Sequence, residues 1–435
     1  MIRYILLSII LVLSGLTSQG RHRILVSTDI GGTDPDDNQS MIHLLMYANE
    51  FDIEGLISSP SYGDGSKEEI LRMIDMYEAD LPALSEGLRK TYGTERGEFP
   101  TADRLRAVTR QGRRGIPALC GYGEPTEGSQ LIIDCARRED SRPLWVLVWG
   151  GLEDIAQALH DAPDIADRIR VNWIGGPNKK WSVNAYNYIV ENFPDLWIIE
   201  DNASYRGFIR SPKDTSLYGK DMWERVMKDA GKMGNDFVNY YKGVAKMGDS
   251  PTLLYLMDGD PENPDGEHWG GRFEPMHLTP KYIVSGDLTP QDTVTCYSIM
   301  EWQIQGPVID IAPDSACITL DIAGQKWDGY YSGDGIYTVR YSPKEPAALT
   351  YTITSEIPGF ANRQGAFSVD ERWPDCGIIS RSSVLTPTPV EVGRSGRWFT
   401  DIQDYSCPWQ GSGTTAKWRD TVMGDWSLRF GWLKK

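Results

Sequence analysis

The chain has 435 residues and, with 61 acidic against 44 basic side chains, a formal net charge of −17. Its hydrophobic content of 40 % is too high for a disordered chain and is enough for buried cores in two or three domains. A chain this acidic excludes nucleic-acid binding through a general electrostatic surface, so no nucleic-acid partner is expected.

The opening MIRYILLSIILVLSGLTSQG carries Arg3, an apolar run from Tyr4 to Leu16, and then small and polar residues. That is the pattern of a secretory signal peptide over residues 1–20, cleaved near Gly20. No later segment is long and apolar enough to predict membrane insertion. The mature protein is therefore expected to be secreted or periplasmic. Export permits disulfides among Cys120, Cys135, Cys296, Cys317, Cys376 and Cys407. Cys376–Cys407 is the favoured pair, with buried free thiols as the alternative. There is no CxxC and no Cys/His cluster, so zinc is not indicated.

From Arg23 to about Leu288 strand-like and helix-like segments alternate. RILVST, FDIEGLIS, LWVLVW, IRVNWIG and LWIIE read as strands; NQSMIHLLMYAN and LEDIAQALHDA carry apolar residues at helical spacing. This pattern predicts an α/β domain over residues 21–288, with a mostly parallel sheet and flanking helices. Ligands of such sheets bind beyond the carboxyl ends of the strands. After Pro290 the strands become short and turn-bounded: CYSIMEW, CITLDI, GIYTVRYS and LTYTIT. They predict an all-β sandwich over residues 289–435, ending in a Trp-rich tail.

The stretch STDIGGTDPDD, Ser27 to Asp37, is the most informative. It places Asp29, Asp34, Asp36 and Asp37 between a buried strand and a helix. Carboxylates this close repel one another unless a cation sits among them. Hard oxygen donors select calcium or magnesium. The plainer reading is that Asp36 and Asp37 only answer the helix dipole. Trp145, Trp149 and Trp173 lie on apolar strands and are expected in the core, whereas Trp269, beside two glycines, is a candidate for sugar contact.

This loop resembles the N-terminal signature of the nucleoside hydrolases. VLVWGGLEDIAQAL (Val146 to Leu159), VNWIGGPNKKW (Val171 to Trp181) and GDSPTLLYL (Gly248 to Leu256) are similar to that family's later motifs. The resemblance implies a calcium ion held by Asp29, Asp37, Asp249 and a backbone carbonyl at Glu153. It makes Asp29 the general base, with Asp36 as a further catalytic candidate, and puts Asn178, Asn184 and Asn187 on the sugar. Three departures stand out: the Asp29–Asp36 loop is longer than in those enzymes, Ser27 stands where they commonly have another Asp, and Gly248 stands where they often have His. More narrowly, the chain resembles bacterial cellulose-binding proteins with a nucleoside-hydrolase-like domain. GDGIYTVRYSPKEPAALTYTIT also looks like an immunoglobulin-like module found beside glycosidases.

These resemblances imply a calcium-dependent glycoside hydrolase acting on carbohydrate, by inverting attack of water at the anomeric carbon. His268 and Glu267 are candidates for its acid, and His268 and Trp269 for substrate contact. The alternatives are a carbohydrate-binding protein without turnover and a secreted ribonucleoside hydrolase. Nucleoside hydrolases commonly form oligomers, so a dimer is conceivable.

Overall fold

The computed structural model describes residues 20–61, 63–211, 213–374 and 382–434. The expected signal peptide and Cys376, with its expected pairing, lie outside them; the five described cysteines are free thiols.

The first sheet is built from β1 (His22–Thr28), β2 (Phe51–Ser58), β3 (Thr109–Gln111), β4 (Leu144–Val148), β5 (Ile169–Ile174), β6 (Ile198–Asp201) and β7 (Phe273–Pro275). Around it lie α1 (Asp36–Met46), α2 (Lys67–Tyr92), α3 (Ala102–Ala107), α4 (Glu127–Ala136), α5 (Glu153–Asp161), α6 (Asn178–Trp181), α7 (Val183–Asn192), α8 (Gly231–Asp236) and α9 (Ser250–Tyr255). Helix starts follow local chemistry: Ser66 Oγ caps α2 by accepting from the Glu69 N–H, and Thr126 and Ser129 form a capping box on α4.

All-β structure follows: β8 (Leu278–Thr279), β9 (Lys281–Val284), β10 (Thr293–Thr295), β11 (Ile299–Gln305), β12 (Ala316–Ile322), β13 (Gln325–Gly333), β14 (Ile336–Tyr341), β15 (Ala347–Thr354), β16 (Arg363–Asp370), β17 (Leu385–Pro387) and β18 (Val390–Glu391). The chain ends with β19 (Trp398–Asp401), α10 (Ser412–Ala416) and α11 (Arg419–Leu433).

The first sheet has the order β3-β2-β1-β4-β5-β6-β19-β7. Every neighbouring pair is parallel except β19 with β7. Alternate residues of its central strands enter two different cores, as a period of two requires. Leu25, Val146, Val148 and Val171 face one, with α4, α5, α7 and the β region. Ile24, Val26, Trp145 and Leu147 face the other, with α1, α2, α9 and α11. Strands buried on both faces read as continuous apolar runs, which is why LWVLV is so plain in the sequence. Trp145, Trp149 and Trp173 are all buried.

Nine strands form the second sheet, in the order β10-β16-β15-β12-β13-β14-β11-β9-β17. The partition at residues 288 and 289 therefore differs from the structure in two places. Strand β9 already belongs to the β region, and the tail from Trp398 onward returns to the α/β body. The return is held by a buried polar knot. Glu200 accepts from the Trp398 indole and the Tyr186 hydroxyl, both at 2.7 Å, and pairs with Lys179. Among the described residues no helix is long and apolar enough to cross a membrane.

Candidate metal centre

Strand order reverses between β2–β1 and β4, which makes the carboxyl end of β1 a topological switch point. The acidic loop leaves from there. Gly31 turns it with φ of 86°, and a Cβ on this residue would lie 2.7 Å from Ser66 Cβ. Asp36 and Asp37 open α1, and Asp249 directly precedes α9. Asp36, Asp37 and Asp249 each bring a carboxylate oxygen within 4.8 Å of the others. Asp29 hydrogen-bonds Asp37, whose other contact is the donating Thr28 hydroxyl.

Electrostatics of the cluster are those of carboxylates short of counter-charge. Burial raises Asp29. Burial and the neighbouring Asp249 charge push Asp37 well above the carboxylate range; burial and Asp36 do the same to Asp249. Asp36 is pushed up to about 7 by burial, against the pull of Lys246. Lys246 pairs with Asp34 and lies 3.4 Å from Asp36. One ammonium does not balance this many acids. An all-oxygen donor set with excess negative charge fits a hard divalent cation.

The loop that delivers Asp249 is held from α1. Buried Gln39 accepts the backbone N–H of Lys246 at 2.7 Å and of Met247 at 3.1 Å, and donates to Val244 O at 2.9 Å. Gly248 follows, and a Cβ there would meet Asp36 Oδ2 at 2.5 Å. A larger residue would push Asp36 out of the cluster.

The cluster forms one side of a cavity of about 900 Å³. The facing walls come from three parts of the chain. Trp149, Trp181, Tyr205 and Arg206 belong to the α/β body, Lys344 to the β region, and Trp409 to the tail. Arg206 stacks on Trp409, its guanidinium carbon 3.9 Å from the ring centre. The turn Ser204–Phe208 carries Tyr205 and Arg206 and is clamped by two buried acids. Asp401, on β19, accepts the N–H groups of Asn202, Ala203 and Ser204. Asp201 accepts that of Tyr205 at 2.8 Å.

Of the acids and asparagines singled out in the sequence, Asp29, Asp34, Asp36, Asp37, Asp249 and Asn178 line this cavity. Asn178 Nδ2 donates to the carbonyls of Trp149 and Ile174, both at 3.0 Å. The others lie elsewhere. Glu153 is buried in the first turn of α5 with one carboxyl oxygen unpartnered, and burial raises it to about 8. It is not in the cavity lining. Asn184 bonds Pro117 O at 3.2 Å, and Asn187 accepts from Lys281 at 2.8 Å, because this face of α7 packs toward other parts of the chain. His268 is fully buried, stacked on Tyr255, with both ring nitrogens against backbone carbonyls of Tyr255, Asp258 and Asn263. Trp269 packs against the helical core. Sequence reading missed Gln39, Tyr205, Arg206, Lys344 and Trp409; only the tail's richness in Trp hinted at the last.

Residues 293–356 match a domain of unknown function, DUF5060. No curated protein matches the chain. Among solved structures it is similar to a nucleoside hydrolase-related hypothetical protein from Saccharophagus degradans associated with carbohydrate metabolism. That match has 20 % identity over 81 % of this chain and 100 % of the other, with a TM-score of 0.49. An inosine-uridine preferring nucleoside hydrolase from Bacillus anthracis is similar at 13 % identity, over 81 % of this chain and 95 % of that one, with a TM-score of 0.36. Residues 23–273, from β1 to the start of β7, match the family described as cellulose-binding Sde182, nucleoside hydrolase-like domain. That match spans more than half of the chain and takes in every acid of the cluster, and the protein belongs to this family.

Proposed function

We propose that the cavity binds a carbohydrate and hydrolyses a glycosidic bond in it with the help of a calcium ion. One observation carries this reading: a buried carboxylate cluster and indole walls share a single cavity. Asp36, Asp37 and Asp249 would hold the ion, which when bound would acidify a water and polarise sugar hydroxyls. Asp29, hydrogen-bonded to Asp37, is placed to accept the proton of the attacking water. Direct attack of that water inverts the anomeric carbon. Asn178 keeps its Oδ1 for a hydroxyl, because its amide hydrogens are committed to carbonyls. Trp181 and Trp409 offer apolar faces to a sugar ring. The leader pattern of residues 1–20 supports export, which favours a carbohydrate over the nucleosides of intracellular salvage.

A second reading, sugar binding without turnover, is favoured by the missing acid. Among the described residues no histidine lines the cavity, and His268 is locked into backbone carbonyls. Mass spectrometry of products from a panel of oligosaccharides and nucleosides, with and without calcium, separates the readings. The expected result is a calcium-dependent saccharide product that Asp29→Asn abolishes. Binding without product selects the second reading, and free base from inosine or uridine selects a nucleoside hydrolase.

A further inference from the structure

The cavity has a second electrostatic character that the acid cluster does not need. Five cationic side chains line it: Arg206, Arg210, Lys246, Lys344 and Arg419. Three are committed. Lys246 serves Asp34 and Asp36; Arg210 pairs with Asp214 and Asp420; Arg419 donates to the carbonyls of Gly207 and Ile209. Arg206 and Lys344 are different. Arg206 Nε donates to the Tyr205 hydroxyl at 3.2 Å and its plane lies on Trp409, which leaves the two terminal nitrogens without a protein acceptor among the described residues. Neither Arg206 nor Lys344 forms an ion pair with a described carboxylate. Two uncommitted cations in one cavity are notable in a chain of net charge −17.

Their position relative to the acids has a chemical meaning. The Tyr205 ring lies beside Gly248, next to Asp36, while its hydroxyl accepts from Arg206. The acid cluster and the guanidinium thus both neighbour one tyrosine side chain in the same cavity. A pyranose carries its ring hydroxyls and its C5 substituent on different carbons, so one sugar in the cavity can offer hydroxyls to the acids and its C5 substituent to the guanidinium. In a uronic acid that substituent is a carboxylate, the planar acceptor that a guanidinium binds with two parallel hydrogen bonds. Arg206 is held for that role by stacking rather than by a competing acid.

We propose that the cavity selects sugars bearing a carboxylate, with Arg206 and Lys344 on the carboxylate and the acid cluster on the hydroxyls. This rests on the carbohydrate reading above and names its substrate class. The test is binding by calorimetry in fixed excess calcium, using the full chain. The ligands are an oligogalacturonate, its methyl ester, a neutral cello-oligosaccharide and a sulfated oligosaccharide. The acid is expected to bind at least tenfold more tightly than its ester. Lys344→Gln, a change at a half-exposed loop residue, should lower that ratio several-fold, and Arg206→Gln should bring it near one. Arg206→Lys, which keeps the charge but not the fork, should restore part of it. Equal affinity for acid and ester, or an unchanged ratio in both glutamine variants, overturns the proposal while leaving the carbohydrate reading intact. Preference for the sulfated ligand over the uronate replaces carboxylate by sulfate and also overturns it. Failure of every saccharide to bind removes both readings together.

Discussion

Gln39 holds Met247 in the left-handed region of backbone space, with φ of 46°, by accepting its N–H at 3.1 Å. That conformation is unfavourable for a methionine and persists only where surroundings enforce it. The strain lies two residues before Asp249, in the loop that brings its carboxylate to the cluster. Gln39→Met fills the same volume and removes the acceptor, leaving the buried Met247 N–H and the half-buried Lys246 N–H unpaired. The loss should cost about 1–3 kcal/mol of stability. It should also weaken calcium binding roughly 10-fold or more, as changes behind a metal ligand do. Urea unfolding and calcium titration calorimetry measure the two effects, and unchanged calcium affinity would refute the positioning role.

Asp37 is expected to trade stability for ion binding. Its neighbours Asp29, Asp36 and Asp249 all raise its carboxyl. Asp37→Asn keeps an acceptor for the Thr28 hydroxyl and removes one charge from the cluster. In chelator the variant should melt higher than wild type, by roughly 2–4 °C. Added calcium should raise the melting temperature of wild type and leave the variant unmoved. Thermal scans with chelator and with calcium decide it; a variant that still responds to calcium would remove Asp37 from the ligand set.

Acid sensitivity should trace to His43. This side chain is buried in α1, its Nδ1 3.0 Å from Ser250 Oγ, and its ring packs against Tyr47 and Trp426. Burial, then the charge of Arg429, lowers its pKa from 6.5 to about 3. The unfolded chain therefore binds the extra proton as pH falls below 6.5, and stability is lost between 6.5 and 3. Above that window the contribution is fully present. The slope is at most about 1.4 kcal/mol per pH unit. His43→Gln retains a partner for Ser250 and does not titrate. Denaturant midpoints of wild type should fall faster than those of the variant below pH 6.5 and run parallel above it; parallel curves throughout would clear His43.

Gly87 and Trp432 should be energetically coupled. A Cβ at Gly87 would sit 2.2 Å from Trp432 Cγ, because α11 packs on α2 at this point. Gly87→Ala must push the indole away despite the better helix propensity of alanine. In a Trp432→Ala background the same substitution should be neutral or stabilising. A double-mutant cycle by urea unfolding measures the coupling, expected at about 1–3 kcal/mol; simple additivity would mean that the contact is not enforced in solution.

The sequence discloses the parallel sheet because strands buried on both faces leave unbroken apolar runs, as in Leu144–Val148. It discloses the acid cluster because Asp29, Asp36 and Asp37 sit within one loop and helix start, and Asp249 begins another helix. Asn184 and Asn187 had suitable local spacing, but spacing does not say which face of α7 looks at the cavity. Gln39, Arg206 and Lys344 carry no local mark, and Trp409 only the tail's richness in Trp, since all four meet the site only through tertiary folding. Strand β19 is four residues long, too short for its pattern to reveal which sheet receives it.

That strand also fixes the order in which the molecule can be completed on the ribosome. The β6 edge and the separate strand β7 are synthesised early, yet both wait for β19, made more than a hundred residues after β7, to pair between them. Until then a buried edge stands open, and the cavity lacks the wall that Trp409 supplies. A chain that stops short of β19 keeps every acid of the cluster and lacks the tail's side of the cavity. The boundary of the recognisable hydrolase-like segment is thus a boundary of descent, while the sheet and the cavity it carries are closed by residues far beyond it.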